Sequence, residues 1–120
     1  MKIVALRELA HARSGEKGND SNVSVIAYDP ALYPVLEQQV TIEAVAPLYR
    51  PITRGAIRRY TLPAIGALNF VFENALEGGR SRTLAFEESG KALSSLMLTL
   101  RVRVPDDTEE RSVAVAKGKE

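Results

Sequence analysis

The stretch His11-Ala-Arg-Ser-Gly-Glu-Lys-Gly-Asn-Asp-Ser-Asn22, followed by Val23-Ser-Val-Ile-Ala-Tyr28, is the part of the chain around which the rest is organised. Its first twelve residues hold two glycines, two cations, two carboxylates and the chain's one histidine, and the next six are almost entirely apolar. Such a polar cluster predicts a turn, and the apolar run predicts a central strand with neighbours on both sides.

The polar segment is also the candidate ligand site. Two glycines would let backbone N–H groups approach an anion without an intervening Cβ atom, and the surrounding side chains supply further donors. The candidate ligand-binding residues are His11, Arg13, Ser14, Gly15, Lys17, Gly18, Asn19, Ser21 and Asn22. The simpler interpretation is a solvated polar turn between two strands, because a lone Gly-x-x-Gly pattern is weak evidence for a site.

His11 allows two interpretations of its own. If residues 9–13 are extended, Leu9, His11 and Arg13 share one face, and the imidazole would donate or accept a proton beside the arginine. The alternative is a half-buried or exposed histidine without a ligand, since histidine is intermediate in burial.

Composition limits the class of protein. The chain has 120 residues, which is the length of one domain, and its formal net charge of +1 argues against a general nucleic-acid binder. The absence of cysteine removes disulfides and thiolate chemistry, and a single histidine excludes a histidine-rich metal site. We expect no metal and name no cofactor. No signal peptide or membrane-spanning run is evident, so we expect a cytoplasmic protein.

The remaining pattern predicts alternating strands and helices. Residues 3–12 suggest a strand, with either a bulge or a late start near Leu6. Residues 34–46 suggest one helix or two short ones divided at Thr41, and residues 56–62 suggest another strand. Pro47 and Pro51 should close the helical region. Ser89 should cap a helix that carries the apolar stripe of residues 93–100, and residues 101–104 alternate like an edge strand.

Residues 66–76 fit two structures. Their apolar side chains follow the i, i+3, i+4, i+7 pattern of a helix, and some of them also alternate as in a strand. We favour a helix, with Gly66 at its start and glycines 78 and 79 at its end. Asn69 lies inside this run, and together with Arg80 and Arg82 of the following glycine loop it forms a possible second ligand loop.

Between residues 44 and 72 the chain has no acidic residue but four arginines, Arg50, Arg54, Arg58 and Arg59. Such a segment would attract an acidic ligand or partner protein. The alternative is a solvated face whose acidic partners come from elsewhere in the fold.

Leu9-Ala-His-Ala-Arg-Ser-Gly-Glu-Lys-Gly-Asn-Asp-Ser-Asn-Val23 resembles the glycine motif of the acyclic terpene utilisation protein A (AtuA) family. Glu16 replaces the aspartate that is usual there. Further similar pieces run in the family's order as far as Val104: Tyr33-Pro34, Arg58-Arg-Tyr-Thr-Leu-Pro63, Gly66-Ala-Leu-Asn-Phe70, Ala75-Leu-Glu-Gly-Gly79, Arg82-Thr-Leu84 and Gly90-Lys-Ala-Leu93.

The resemblance implies the small C-terminal domain of that family, here as a free-standing chain without the large N-terminal domain. The implied fold is α+β, a ferredoxin-like sandwich with a four- or five-stranded antiparallel or mixed sheet and two or three helices on one face. We assign residues 1–104 to this domain and residues 105–120 to a linker and mobile tail. A strict ferredoxin-like order would need residues 66–76 to be a strand or an insertion.

The implied setting is bacterial catabolism of acyclic terpenes or related branched acids as coenzyme A thioesters. Three hypotheses follow: a small subunit that acts with a separate large AtuA-like chain, a stand-alone module that binds or converts an acyl thioester through the 13–22 loop, or a purely structural domain. We expect an anionic small molecule such as an acyl-coenzyme A, no nucleic acid, no membrane, and self-association through the helical or arginine face rather than residues 101–104. No catalytic residue is assigned.

Overall fold

The structure is a computed structural model, and it describes residues 1–17, 20–50, 55–73 and 93–112. Six strands lie in these ranges: β1 (Lys2–Ala5), β2 (Ala10–Lys17), β3 (Asp20–Ala27), β4 (Ile57–Leu62), β5 (Ala67–Phe72) and β6 (Arg101–Val104). The α-helices described are α1 (Tyr33–Gln39), α2 (Ile42–Tyr49) and α3 (Leu93–Met97). Short 3-10 turns cover Leu6–Glu8, Pro30–Leu32 and Pro63–Ile65.

The strands form two antiparallel sheets. Four of them make the main sheet in the order β2-β3-β5-β4, and β1 pairs with β6 in a second, two-stranded sheet. In the main sheet α2 contacts β4, α1 contacts β5, and α3 contacts β2 and β3. The prediction of an α+β fold is therefore confirmed.

Burial on β3 alternates strictly, as expected for a sheet covered on one side. The hydrophobic core lies between the helices and the covered side of the sheet. Its largest fully buried side chains are Tyr49, Phe70, Phe72, Leu6, Leu9, Leu36, Leu68, Met97, Val23, Val25, Val40 and Val45. Leu93 and Met97 of the predicted apolar stripe are buried, and Leu96 and Leu100 pack against the core from its border.

The prediction of a helix at residues 66–76 is wrong, because residues 67–72 form strand β5. Leu68, Phe70 and Phe72 are buried, which is the strand alternation. β5 lies between β3 and β4, so its backbone groups have ladder partners on both sides. Gly66 precedes the strand with φ of +64°, a conformation that favours glycine, and ends the 3-10 turn rather than starting a helix.

The region of residues 34–46 forms two helices, which was the open alternative. Thr41 caps the second helix, since its Oγ1 accepts a hydrogen bond from the N–H of Ala44 at 3.2 Å. The expectation that Pro47 ends the region is wrong, because α2 continues through it to Tyr49. Residues 3–12 are likewise not one strand, since the 3-10 turn at Leu6–Glu8 separates β1 from β2.

Several predictions fall on residues outside the described ranges. These are the Ser89 cap, the glycine stop at 78 and 79, Pro51, Arg54, and the second-loop residues Arg80 and Arg82. Residues 106–112 are described and contact the body of the domain. The terminal amino group of Met1 lies 3.2 Å from Asp106 Oδ1, and Lys2 Nζ lies 3.1 Å from Glu110 Oε2.

Candidate functional site

The described part of the glycine-rich segment, residues 11–17 and 20–22, forms two paired strands. β2 and β3 pair from Ala10↔Ala27 to Lys17↔Asp20, so residues 13–17 and 20–22 belong to the ladder. Gly15 does not have a positive φ. The predicted nest, in which N–H groups of a glycine loop converge on an anion, is therefore not what these residues form, because a strand directs successive N–H groups to opposite sides.

The hairpin places part of the segment on the side of the sheet that carries none of the helices in the described part of the chain. We call this side the open face. Opposite residues in an antiparallel ladder share a face, so the register assigns its members. They are His11, Arg13 and Gly15 on β2, Asn22, Ser24 and Ile26 on β3, Ala67, Asn69 and Val71 on β5, and Arg58, Tyr60 and Leu62 on β4.

A row of polar side chains crosses the open face. The register sets Arg13 beside Ser24, Ser24 beside Asn69, and Asn69 beside Tyr60. Asn69 Nδ2 donates a hydrogen bond to Ser24 Oγ at 2.9 Å, which gives a partner to the amide inside the apolar run. Arg13 is exposed, and it makes no hydrogen bond or ion pair with any residue that the structure describes. The row thus combines a fixed pair of polar groups with an uncompensated guanidinium.

Because Gly15 has no Cβ atom, it leaves room for a neighbouring side chain. A Cβ atom at this position would lie 3.2 Å from Asn22 Nδ2 and 3.6 Å from Asn22 Oδ1. The Asn22 amide therefore lies across the Gly15 backbone, next to Arg13 on the same face. The prediction that glycine permits a close approach here is correct in kind, but the approaching group is a side chain of the protein itself.

His11 shares the open face with Arg13, as the extended interpretation required. The expectation that Leu9 lies on the same face is wrong, because Leu9 precedes β2 in a helical backbone conformation and is fully buried in the core. Its ring stacks on Tyr28 with 5.4 Å between the ring centroids. The guanidinium carbon of Arg111 lies 4.8 Å from the centroid of the same tyrosine, within the range of a cation–π contact. His11 therefore belongs to an aromatic cluster at one end of the face.

The other predicted site residues are divided. Ser14 and Ser21 lie on the helix side of the sheet by register, where Ser14 is exposed and Ser21 is buried. Ser21 Oγ is buried without a hydrogen-bond partner. Lys17 is described only as a member of β2, and Gly18 and Asn19 lie outside the described residues. The structure thus brings together His11, Arg13, Gly15, Asn22 and Asn69.

Sequence reasoning missed Ser24 and Tyr60, which complete the polar row. It also missed Tyr28, which stacks on His11, and Arg111, which contacts Tyr28. The two-residue alternation of side chains along β3 and β4 could have placed Ser24 and Tyr60 on the same face as Asn69. It could be used only with the strand assignment of residues 67–72, which aligns Asn69 with both of them.

The arginine-rich segment has internal partners. Arg58 Nε lies 2.5 Å from Glu73 Oε1, and this hydrogen bond raises the pKa of Arg58 above its usual value. Arg59 Nη1 donates to the carbonyl oxygens of Glu37 and Val40, both at 3.0 Å, at the end of α1. Arg50 Nη1 donates to the carbonyl of Gly55 at 3.1 Å. The Arg58–Glu73 contact fits the alternative in which acidic partners come from outside the segment, whereas Arg50 and Arg59 bind backbone carbonyls.

Two cavities flank the candidate site. One of about 360 Å³ is lined by Glu8, Tyr28, Asp29, Asp107, Glu109 and Arg111, among others, so carboxylates dominate it and an anion would be repelled. A second, of about 240 Å³, lies against Ser14, Gly15, Glu16 and Leu93 at the edge of β2. Within the described ranges, no cluster of three His, Cys, Asp or Glu is arranged to hold a metal ion.

Comparison with protein families gives one assignment. The family model of the AtuA ferredoxin-like domain matches residues 4–103. The chain belongs to this family. A search of curated proteins and a search of solved structures each found no match. The ferredoxin-like prediction is confirmed by the family match, and the open face is the uncovered side of an AtuA ferredoxin-like sheet.

No helix in the described part of this AtuA ferredoxin-like domain combines the length and the apolar character that a membrane span requires.

Proposed function

We propose that this AtuA ferredoxin-like domain acts with a separate large AtuA-like chain in bacterial catabolism of acyclic terpenes or related branched acids. In this proposal the open face binds the anionic part of an acyl-coenzyme A thioester, or a similar anion, in the cytoplasm. The domain supplies a binding surface, and no catalytic residue is assigned to it.

The observation that carries the proposal is the environment of Arg13. Its guanidinium is exposed beside the fixed Ser24–Asn69 pair and the Asn22 amide, so several hydrogen-bonding groups surround a charge with no described counterion. An arginine binds phosphate or carboxylate through two parallel hydrogen bonds. Neighbouring amides and hydroxyls in fixed positions would add selectivity at little entropic cost.

The charge balance of the hairpin supports the same proposal. Glu16 and Asp20 could have cancelled the charges of Arg13 and Lys17. By register Glu16 lies opposite Ser21 on the helix side of the sheet, away from Arg13. Asp20 lies at the end of the hairpin opposite Lys17, four residues along β2 from Arg13. The positive charge of Arg13 is thus left to the open face.

Two variants test the binding surface by titration calorimetry with isovaleryl-coenzyme A and with coenzyme A alone. Arg13→Ala should weaken binding roughly ten- to a hundredfold, because a hydrogen bond to a charged group contributes about 1.5–3 kcal/mol. Arg58→Ala is the matched control, since that arginine lies on the same face but is paired with Glu73. Equal affinities of the wild type and Arg13→Ala would contradict a ligand site on this face and favour the structural alternative.

The large partner is tested by affinity capture of the tagged chain from its native cell, followed by mass spectrometry. We expect a protein of the AtuA large-domain type to be recovered at near-equal amounts. Recovery of the chain alone, together with full substrate turnover, would favour the stand-alone module instead.

A further inference from the structure

Among the described strands, β2 and β4 form the two edges of the main sheet, and these edges differ in how well they are protected. Natural proteins block exposed edges with charged side chains, prolines, bulges or covering elements, because unpaired N–H and C=O groups recruit another strand. β2 carries His11, Arg13, Glu16 and Lys17 along its eight residues. β4 carries only Arg58 and Arg59, and both are engaged within the domain.

The ladder shows which backbone groups of β4 face outward. The N–H of Glu73 donates to the carbonyl of Ala56 at 2.9 Å, so the even-numbered residues of β4 exchange hydrogen bonds with β5. The N–H and C=O groups of Ile57, Arg59 and Thr61 consequently point away from the sheet. Among the described residues none of these groups makes a backbone hydrogen bond at this edge.

Apolar side chains cluster at the same edge. Tyr60, Leu62 and Ile65 are 49%, 40% and 64% exposed, and they are three of the six exposed large hydrophobic residues among those described. All three lie on β4 or in the 3-10 turn that follows it. An edge of β-forming residues with satisfied charges and exposed apolar side chains is suited to strand addition.

We propose that β4 pairs antiparallel with β4 of a second copy of this chain, so that two main sheets join into one continuous sheet across a two-fold axis. A second copy fits because the edge is self-complementary in one register. With Tyr60 on the axis, Arg59 lies opposite Thr61 of the other copy and Arg58 opposite Leu62. Both Arg59–Thr61 pairs then exchange two N–H···O bonds, since these residues direct their backbone groups outward.

Neighbouring registers are less favourable for physical reasons. Moving the axis to Arg59 would place two arginines of like charge directly opposite each other, which destabilises a sheet. Moving it to Thr61 would pair Arg59 with Pro63, which has no N–H to donate, and would leave Thr61–Thr61 as the one fully bonded pair of β4 residues. In the Tyr60 register Pro63 lies opposite Ile57, beyond the two bonded Arg59–Thr61 pairs. The Tyr60 register instead sets two tyrosines at a non-hydrogen-bonded position, where side chains are closest and aromatic pairs stabilise the sheet. The pairing is independent of the ligand and of the large chain.

Sedimentation analysis of the full chain tests the pairing. The wild type should be a dimer at about 100 μM, and Thr61→Pro should be a monomer with an unchanged circular dichroism spectrum, because its N–H faces outward and proline is tolerated there. Glu16→Pro is the matched control, since the N–H of Glu16 faces outward on the other edge, and it should remain a dimer. A monomeric wild type, a dimeric Thr61→Pro or a monomeric Glu16→Pro would each overturn the proposal.

Cross-linking tests the register and does not depend on how proline is tolerated. The chain has no cysteine, so Tyr60→Cys introduces a single thiol. Across the axis the two Cα atoms would be about 4.5 Å apart, within the range of a disulfide, and mild oxidation should link most of the protein into covalent dimers. Leu62→Cys is similarly exposed but would place its two Cα atoms roughly 14 Å apart. It should cross-link at least tenfold more slowly, and equal rates would overturn the register.

Discussion

The side-chain amide of Asn22 lies across the backbone of Gly15, with Nδ2 only 3.2 Å from where a Cβ atom of residue 15 would be. The two residues are opposite each other in the β2–β3 ladder. The glycine therefore provides room for an amide beside Arg13, and it does so in ordinary strand conformation.

Gly15→Ala should weaken ligand binding while leaving the stability of the domain almost unchanged. The amide is half-buried and can rotate aside, and replacing glycine in a strand recovers about 0.5–1 kcal/mol of backbone entropy, so the free energy of unfolding should change by less than about 1 kcal/mol. Binding of isovaleryl-coenzyme A should weaken by roughly three- to tenfold, since Asn22 is displaced from its place beside Arg13. Calorimetry and urea denaturation measure the two effects.

A double-mutant cycle provides the control for this prediction. Asn22→Ala alone should weaken binding to a similar extent, and Gly15→Ala combined with Asn22→Ala should cost little more than either. Additive losses would contradict the view that Gly15 acts through the Asn22 amide.

Arg59 and Arg58 are neighbours with different predicted effects on stability. Arg59→Ala leaves the carbonyls of Glu37 and Val40 at the end of α1 without this donor, and it should lower the free energy of unfolding by about 1–2 kcal/mol. Arg58→Ala removes an exposed, solvent-screened ion pair and should lower the free energy of unfolding distinctly less than Arg59→Ala does. Urea denaturation at pH 7 compares them, and equal losses would argue against a bond from Arg59 that stabilises α1.

Tyr49→Phe should destabilise the domain although the ring is kept. The hydroxyl of Tyr49 is buried and donates to the carbonyl of Leu93 at 2.5 Å, while its ring packs on Phe72 with centroids 4.3 Å apart. Losing the donor removes a buried hydrogen bond to this carbonyl, at a cost of about 0.5–1.5 kcal/mol by thermal or urea denaturation. Tyr60→Phe, on the exposed β4 edge, is the control and should change stability by less than about 0.5 kcal/mol.

Burial also raises the pKa of Tyr49 above its ordinary value of 10.0. Because the folded state holds this proton more tightly, the stabilisation is present below the unfolded pKa and declines as the pH rises above it. Between pH 10 and 11 the free energy of unfolding of Tyr49→Phe should therefore fall less steeply with pH than that of the wild type. An identical pH dependence of the free energy of unfolding in the two proteins would contradict a raised pKa of Tyr49 in the folded state.

Glu8 links the chain end to the first 3-10 turn in a pH-dependent way. Its Oε1 accepts hydrogen bonds from the N–H of Ser112 at 2.9 Å and from its hydroxyl at 2.8 Å, and these bonds lower the pKa of Glu8 below its ordinary value of 4.5. Because folding lowers the pKa of this carboxyl group, the contact stabilises the folded state fully at pH values above the unfolded pKa. This stabilisation is lost as the pH falls through the folded pKa.

Acidification below pH 4.5 should therefore release Ser112. The amide resonance of Ser112 in a nitrogen–proton NMR spectrum should follow a single titration, and hydrogen exchange at this amide should accelerate as the pH falls relative to its intrinsic rate. Ser112→Gly keeps the N–H but removes the hydroxyl, so it should shift the midpoint upward. A midpoint at or above 4.5 in the wild type would contradict the contact.

Local patterns were sufficient where neighbouring residues alone decide the structure. Thr41 could be predicted as a helix cap because its hydroxyl bonds to an N–H three residues later. The alternation of residues 101–104 predicted a strand, and they form β6. The apolar run after Asn22 predicted a central strand, and β3 has neighbours on both sides. In each case the deciding contacts are short-range or follow from the two-residue period.

Local patterns failed where a distant strand decides. Residues 66–76 satisfy both a helical and an extended pattern, and only the position of β5 between β3 and β4 makes the strand preferable. Pro47 has a weaker effect than expected because α2 is held by packing of Val45 and Tyr49 into the core. The glycine segment has the composition of a loop, yet the β3 partner turns it into a strand.

The sequence by itself determined the family motif, the α+β class, the helix cap and the set of polar residues from which a site could be built. Only the tertiary structure decided which of them meet. Sheet register places Asn69 beside Ser24 and Tyr60, and Ser24 beside Arg13, while it turns Ser14 and Ser21 to the helix side. The physical reason is the two-residue period of a strand, which assigns each side chain to a face only after its pairing partners are known.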